Sequence, residues 1–135
     1  MPLQLELVTD PKDFDKIMQM EYEAWQTPYN PQLKHFRPNL PTRAESIRHT
    51  IAKNTKKLLE NDPDHFFINV IDTDTDEVVG FAAWMINHMN EDGDEKTIAY
   101  WHPEGSEEKE FAECFIDGLF GFLGEKVKRK HMGEL

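Results

Sequence analysis

Near the start of the chain Leu3, Leu5 and Leu7 alternate with Gln4, Glu6 and Val8. A period of two predicts a strand with one face on the core. The alternation stops at Thr9-Asp10-Pro11, where Thr9 or Asp10 can cap a helix and Pro11 suits its first turn. Phe14, Ile17, Met18, Tyr22 and Trp25 then recur at helical spacing and predict a single apolar stripe. Four prolines fall between Gln26 and Pro41. Each removes a backbone donor and restricts the residue before it, so regular structure is not expected there. Tyr29, Leu33, Phe36 and Leu40 nevertheless give this segment apolar anchors. They predict an ordered loop that folds back over another part of the protein.

Thr42-Arg43-Ala44-Glu45 fits a capping box, with Glu45 reaching back to the cap. The helix it opens presents Ile47, Ile51, Leu58 and Leu59 and stops near Asn61-Asp62-Pro63. Phe66 to Ile71 reads as a strand that is apolar on both faces except at Asn69, "DTDTDE" as a turn, and "VVGFAAWMI" as the returning strand. Strands apolar on both sides predict helices over both faces of the sheet. After a polar stretch from Asn87 to Lys96, Ser106 can cap a last helix with Glu107, Glu108 and Glu110 in its first turn. Its middle is nearly all apolar, from Phe111 to Leu123, with glycines at Gly118, Gly121 and Gly124. Each glycine costs about 1 kcal/mol against alanine in a helix, which predicts close approach to another backbone. The expected fold is α+β: one domain, residues 1–135, with a short antiparallel sheet of three strands flanked by helices.

Composition narrows the function classes. A length of 135 residues is enough for an ordinary core without staples. The 26 acidic against 15 basic side chains give a net charge of −11, which disfavours nucleic acid and anionic membrane as partners. The one basic cluster, Lys126 to His131, falls where a helix end would use cations against its own dipole. Cys114 is the sole cysteine, so no internal disulfide forms. No signal-peptide pattern and no transmembrane run appears, so a cytoplasmic protein is expected.

The order strand, helix, proline loop, helix, hairpin, aromatic-Pro-Glu-Gly loop, helix resembles the N-terminal half of the GCN5-related N-acetyltransferase superfamily, of fungal small-molecule type. The likeness is carried by "LQLELVTDPKDFDKIMQMEYEAW", by "HFFINVIDTDTDEVVGFAAW" with Gly80 and Trp84, and by "WHPEGSEEKEFAECFIDGL". In that family a fourth strand and a following Arg/Gln-x-x-Gly-x-Gly/Ala loop hold the pyrophosphate of acetyl-CoA on backbone N–H groups. Nothing here matches that loop; Lys130-x-x-Gly133-x-Leu135 lacks the small final residue. The resemblance therefore implies a domain that stops before its cofactor site, and no catalytic residue can be transferred. Acetyl-CoA is expected only if the missing half is supplied.

The resemblance does imply an acceptor side, lined by the first helix, the loop after it and the hairpin. The candidates are Trp25, Tyr29, Phe36 and Trp84, with His88, Trp101 and His102 near the ends of neighbouring elements. Aromatic walls with a few polar tips suit a small molecule, and core filling is the competing explanation for each residue. The Trp101-His102 pair has less structural reason to stand in a polar loop.

Other chemistries fit poorly. Cys114 lies among phenylalanines, where a buried, inert thiol is expected. Asp72, Asp74 and Asp76 begin like a calcium loop, but Glu77 stands at its glycine position and Ala83 at its final acid. The histidines show no helical i,i+4 pair, so no metal site is expected. His102 with Glu104, or His88 with Asp92, has the residue types for proton transfer at neutral pH. A short sheet leaves an unpaired edge, which with the apolar last helix predicts a homodimer. A non-catalytic homodimeric binding module, or a cofactor-free catalyst derived from the same fold, is thus the alternative to an acetyltransferase-like protein. An unrelated α+β interaction protein is a third reading.

Overall fold

The computed structural model describes residues 2–86 and 96–119. These fall into two compact units, one from Met1–Asn30 with Pro41–Asn87, the other from Pro31–Leu40 with His88–Leu135. The basic cluster at Lys126 to His131, Gly121, Gly124 and His88 with Asp92 lie outside the described residues.

The first unit holds the sheet, with strands β1 (Leu3–Leu7), β2 (His65–Asp72) and β3 (Glu77–Met85) in the order β1-β2-β3. Both pairings are antiparallel, with Leu5 opposite Val70 and Phe67 opposite Ala83. The α+β class and the three-stranded antiparallel sheet flanked by helices are therefore as expected. A bulge lies at Val70/Ile71, where the register slips so that Ile71 faces Val78. The turn between β2 and β3 is stitched by its own aspartates. Asp76 N–H donates to the Asp72 carbonyl at 2.8 Å, and Asp74 N–H to Asp72 Oδ1 at 3.0 Å. Asp76 takes a φ of 59°, a left-handed geometry that aspartate tolerates better than most side chains.

Between β1 and β2 the chain forms a short 3-10 turn (Pro11–Asp13), then α1 (Phe14–Gln26), α2 (Leu33–Phe36) and α3 (Arg43–Leu59). Asp10 caps the first turn by accepting from Lys12 N–H at 2.9 Å. The capping box at α3 is present in both directions: Glu45 N–H donates to Thr42 Oγ1, and Thr42 N–H to Glu45 Oε2. The proline segment differs from expectation in carrying α2, a single turn of helix between its prolines.

The core of this unit is Val8, Phe14, Ile17, Met18, Ile47 and Phe67, with Tyr22, Ile51, Leu58, Val78 and Phe81 packed on it. Phe14 meets Phe67 edge to face at 5.1 Å, and Phe81 stacks on Phe67. All the strand residues in this cluster point to one side of the sheet, and both α1 and α3 lie on that side. Two expectations are corrected here. Leu3, Leu5 and Leu7 point to the opposite side and stand 54%, 69% and 60% exposed, while their neighbour Val8 is buried. The helices of this unit thus do not cover both faces; Trp84, on the leucine side, is exposed as well. Trp25 and Leu59 also leave the predicted apolar stripes for solvent. On the helix side Asn69 is buried, and its Oδ1 has no hydrogen-bond partner among the described residues.

The second unit contains α2, the segment 96–106 and a helix, α4, running over residues 107–119. Ser106 caps α4 as expected, its Oγ accepting from Lys109 N–H at 3.2 Å. Among the described residues Leu33, Ala99, Ala112 and Ile116 are its buried apolar side chains, whereas Phe111, Phe115 and Leu119 are exposed. Cys114 is exposed too, not the buried thiol anticipated. A Cβ at Gly118 would meet nothing within 4 Å, so the close backbone approach expected of this glycine is not seen. No helix among the described residues is long and apolar enough to cross a membrane.

Candidate functional site

The expected pocket residues fall on different units. Trp25, Tyr29 and Trp84 belong to the first, and Phe36, Trp101 and His102 to the second. Phe36 closes α2, and its side chain is outside the described part. Within the first unit, Trp25 ends α1 on one side of the sheet and Trp84 projects from the other. The two do not share a wall. Trp25 Nε1–H donates to Glu21 Oε1 at 3.3 Å, one turn earlier on the same helix. Tyr29 pairs through its backbone with Gln26 in an isolated bridge at the end of α1, and it is 44% exposed, as is Trp25. This end of α1 therefore offers two half-open aromatic rings, with the Glu21 carboxylate on the indole N–H of Trp25. Glu23 is held by Arg43 at 2.8 Å, and the Arg43 guanidinium lies 5.6 Å from the centre of the Tyr22 ring.

In the second unit, Trp101 and His102 do come together, and their neighbours explain why they stand in a polar loop. Trp101 Nε1–H donates to the Lys34 carbonyl at 2.7 Å, which ties the 96–106 segment to α2. His102 lies with its ring centre 5.8 Å from that of Trp101 and 5.8 Å from that of His35. His35 in turn meets the Phe111 ring of α4 edge to face at 4.7 Å. The one carboxylate in the group is Glu108, which reaches Lys34 Nζ at 3.4 Å and His102 Nδ1 at 3.7 Å. The His102 side chain is only 7% exposed. Its Nε2 and the Nδ1 of His35 are buried without a hydrogen-bond partner among the described residues.

Burial holds the His35 imidazole below its ordinary pKa, aided by the Lys34 and His102 charges and opposed by Glu108. The physical reason is that a cation in this place would lose hydration and face two other cationic or cation-forming groups, with one carboxylate to answer them. His102 and Glu104, whose residue types would suit proton transfer, are not paired; Glu104 instead reaches Lys109 Nζ at 3.5 Å. Further along, carboxylates of α4 take up the backbone of the 96–99 stretch. Asp117 Oδ1 accepts from Thr97 N–H at 2.9 Å, and Glu113 Oε1 accepts from Ala99 N–H at 3.0 Å and from Lys109 Nζ. The Lys109 hydrogen bond, then the Ala99 N–H, hold the Glu113 carboxyl below the usual range. The Thr97 N–H does the same for Asp117.

His35 and Glu108 were not among the residues the sequence marked. Nothing local distinguishes His35 in "QLKHFRP", because its role depends on His102, 67 positions later. Only the proline spacing, which implied a loop folded back on something, pointed in that direction. Among the described residues no three His, Cys, Asp or Glu side chains are grouped to hold a metal ion. Compared with known protein families, characterised proteins and solved structures, the chain matches none.

Proposed function

We propose that this chain is an N-acetyltransferase-like protein that supplies the acceptor side of the fold and binds a small amine at the aromatic end of α1. The observation that supports this most is the connectivity β1-α1-α2-α3-β2-β3, with an antiparallel sheet in that order and both long helices on one face. This is the arrangement that the resemblance to the GCN5-related superfamily implies for the half that receives the acceptor. Trp25 and Tyr29, with Glu21 on the Trp25 indole, give a cationic amine aromatic faces and a carboxylate at the end of the first helix. The net charge of −11 draws such a cation toward the protein. Acetyl-CoA would be gripped by residues that this sequence does not contain, contributed by a further stretch of chain or by another polypeptide.

Titrating the protein with spermidine and with phenethylamine while following tryptophan fluorescence tests this reading. Saturable quenching that disappears in Trp25→Phe and persists in Trp84→Phe is expected. Absence of any saturable change up to millimolar amine would end the proposal. The exposed leucine side of the sheet favours a second reading, a non-catalytic homodimeric module.

A further inference from the structure

We infer that β1 pairs with the β1 of a second copy of this chain, antiparallel and centred on Leu5, joining two three-stranded sheets into one of six strands. The inference does not depend on amine binding; it rests on the backbone and side chains of one edge strand.

The first observation is the direction of the β1 hydrogen bonds. Val8 N–H donates to the Phe67 carbonyl at 2.9 Å, and the Pro2 carbonyl accepts from Thr73 N–H at 3.1 Å. In an antiparallel ladder, residues that exchange bonds with the neighbour alternate with residues that face away. Even positions of β1 therefore serve β2. Leu3, Leu5 and Leu7 turn their N–H and C=O groups to the edge that no other strand among the described residues covers, and all five strand residues are exposed.

The second observation is that "LQLEL" is nearly a palindrome about Leu5. An antiparallel two-fold pairing puts Leu5 opposite the partner's Leu5, and Leu3 opposite the partner's Leu7. These are the three positions with free backbone groups, so the two strands would exchange six hydrogen bonds in register. The leucines of both copies then share one face, where cross-strand apolar pairs stabilise a sheet. On the other face Gln4 stands opposite the partner's Glu6, so an amide donor meets a carboxylate and no like charges oppose each other. A two-fold interface requires this self-complementarity, in which residue i meets j and j meets i. A shift by one residue would set the bonded leucines against already-satisfied groups. Register is thus specified by the same pattern. An edge whose leucines are half to two-thirds exposed is otherwise an uncontrolled aggregation site.

The interface is small, so a reversible dimer is expected rather than an obligate one. Sedimentation across the micromolar range, at an ionic strength of about 0.15 M to screen the acidic chains over about 8 Å, should show monomer–dimer exchange. Leu5→Pro removes an N–H that the isolated unit does not use, and proline is tolerated on a sheet edge. Leu5→Glu sets two carboxylates against each other at the axis. Each should weaken association at least tenfold with unchanged far-ultraviolet circular dichroism, while Leu5→Val retains it. Phe111→Glu, on the exposed side of α4, should leave association intact. A chain that stays monomeric throughout the micromolar range overturns the inference. So does a dimer that survives both Leu5→Pro and Leu5→Glu, or one lost only in Phe111→Glu.

Discussion

The two units of this protein are held together by different physics. In the first, Phe14, Ile17, Met18 and Phe67 are fully buried and meet one another directly. In the second, the buried apolar side chains among the described residues are few, and much of the order there comes from polar contacts: Trp101 on a carbonyl, Asp117 and Glu113 on backbone N–H groups, and a histidine pair beside a single glutamate. Apolar burial is insensitive to pH and spread over many atoms. Hydrogen bonds and buried imidazoles are few, directional and titratable. The first unit should therefore behave as a scaffold and the second as a segment that opens first.

The largest effect expected is on the scaffold. Phe67→Ala removes the ring that Phe14, Phe81 and His65 all touch, and should cost about 3–5 kcal/mol in denaturant unfolding. Loss below 1 kcal/mol would mean that this core is not what holds the unit. Next comes Trp101→Phe, which keeps the ring but deletes the donor to the Lys34 carbonyl and should cost about 1–3 kcal/mol. Amide exchange should quicken in residues 31–40 and 96–106 and stay unchanged in β2; equal quickening in both places would erase the distinction between the units. Thr42→Ala removes the capping box of α3 and should cost about 1 kcal/mol, read as a fall in melting temperature. Leu5→Glu, at an exposed edge position, should change the stability of the isolated chain by less than about 0.5 kcal/mol.

Acidification sharpens the comparison, and its sign follows from His35. A histidine whose folded pKa lies below its ordinary value of 6.5 favours the neutral folded form. Its contribution is present above that value and is lost as the pH falls through the depressed folded pKa. Lys34, Glu108 and His102 are the charged and titratable groups facing it, from α2, α4 and the 96–106 segment. His65, in β2, is lowered for a similar reason, burial first and then Lys57, with Asp62 and Glu60 opposing. The scaffold therefore carries a pH-linked group of its own. It sits at the beginning of a strand that eight residues of ladder and the aromatic core hold in place. The carboxylates Glu113 and Asp117 are lost only on further acidification, through the carboxylate range.

Much of the scaffold could be read from the sequence because its determinants are local. The capping box at Thr42 and Glu45, the aspartate turn at Asp72 to Asp76 and the hairpin are each written in a few consecutive residues. The alternation at Leu3 to Leu7 correctly marked a strand, but a period of two does not say which face meets the core. Val8 takes the buried place because the even positions share a face with Phe67. The second unit was harder for a physical reason. Its Trp101, His35 and Glu108 acquire their roles only from partners 67, 67 and 74 positions apart in the chain. Cys114 was misread for the same reason: its phenylalanine neighbours imply burial, yet Phe111 and Phe115 are themselves exposed.

Residue-resolved hydrogen exchange, compared between pH 7 and pH 5, tests the division between apolar scaffold and polar clasp most directly. After correction for intrinsic rates, protection of residues 31–40 around His35 should fall at the lower pH, and that of the β2 amides around Phe67 should hold. Parallel loss of protection in both units, or greater loss in β2, would contradict the account.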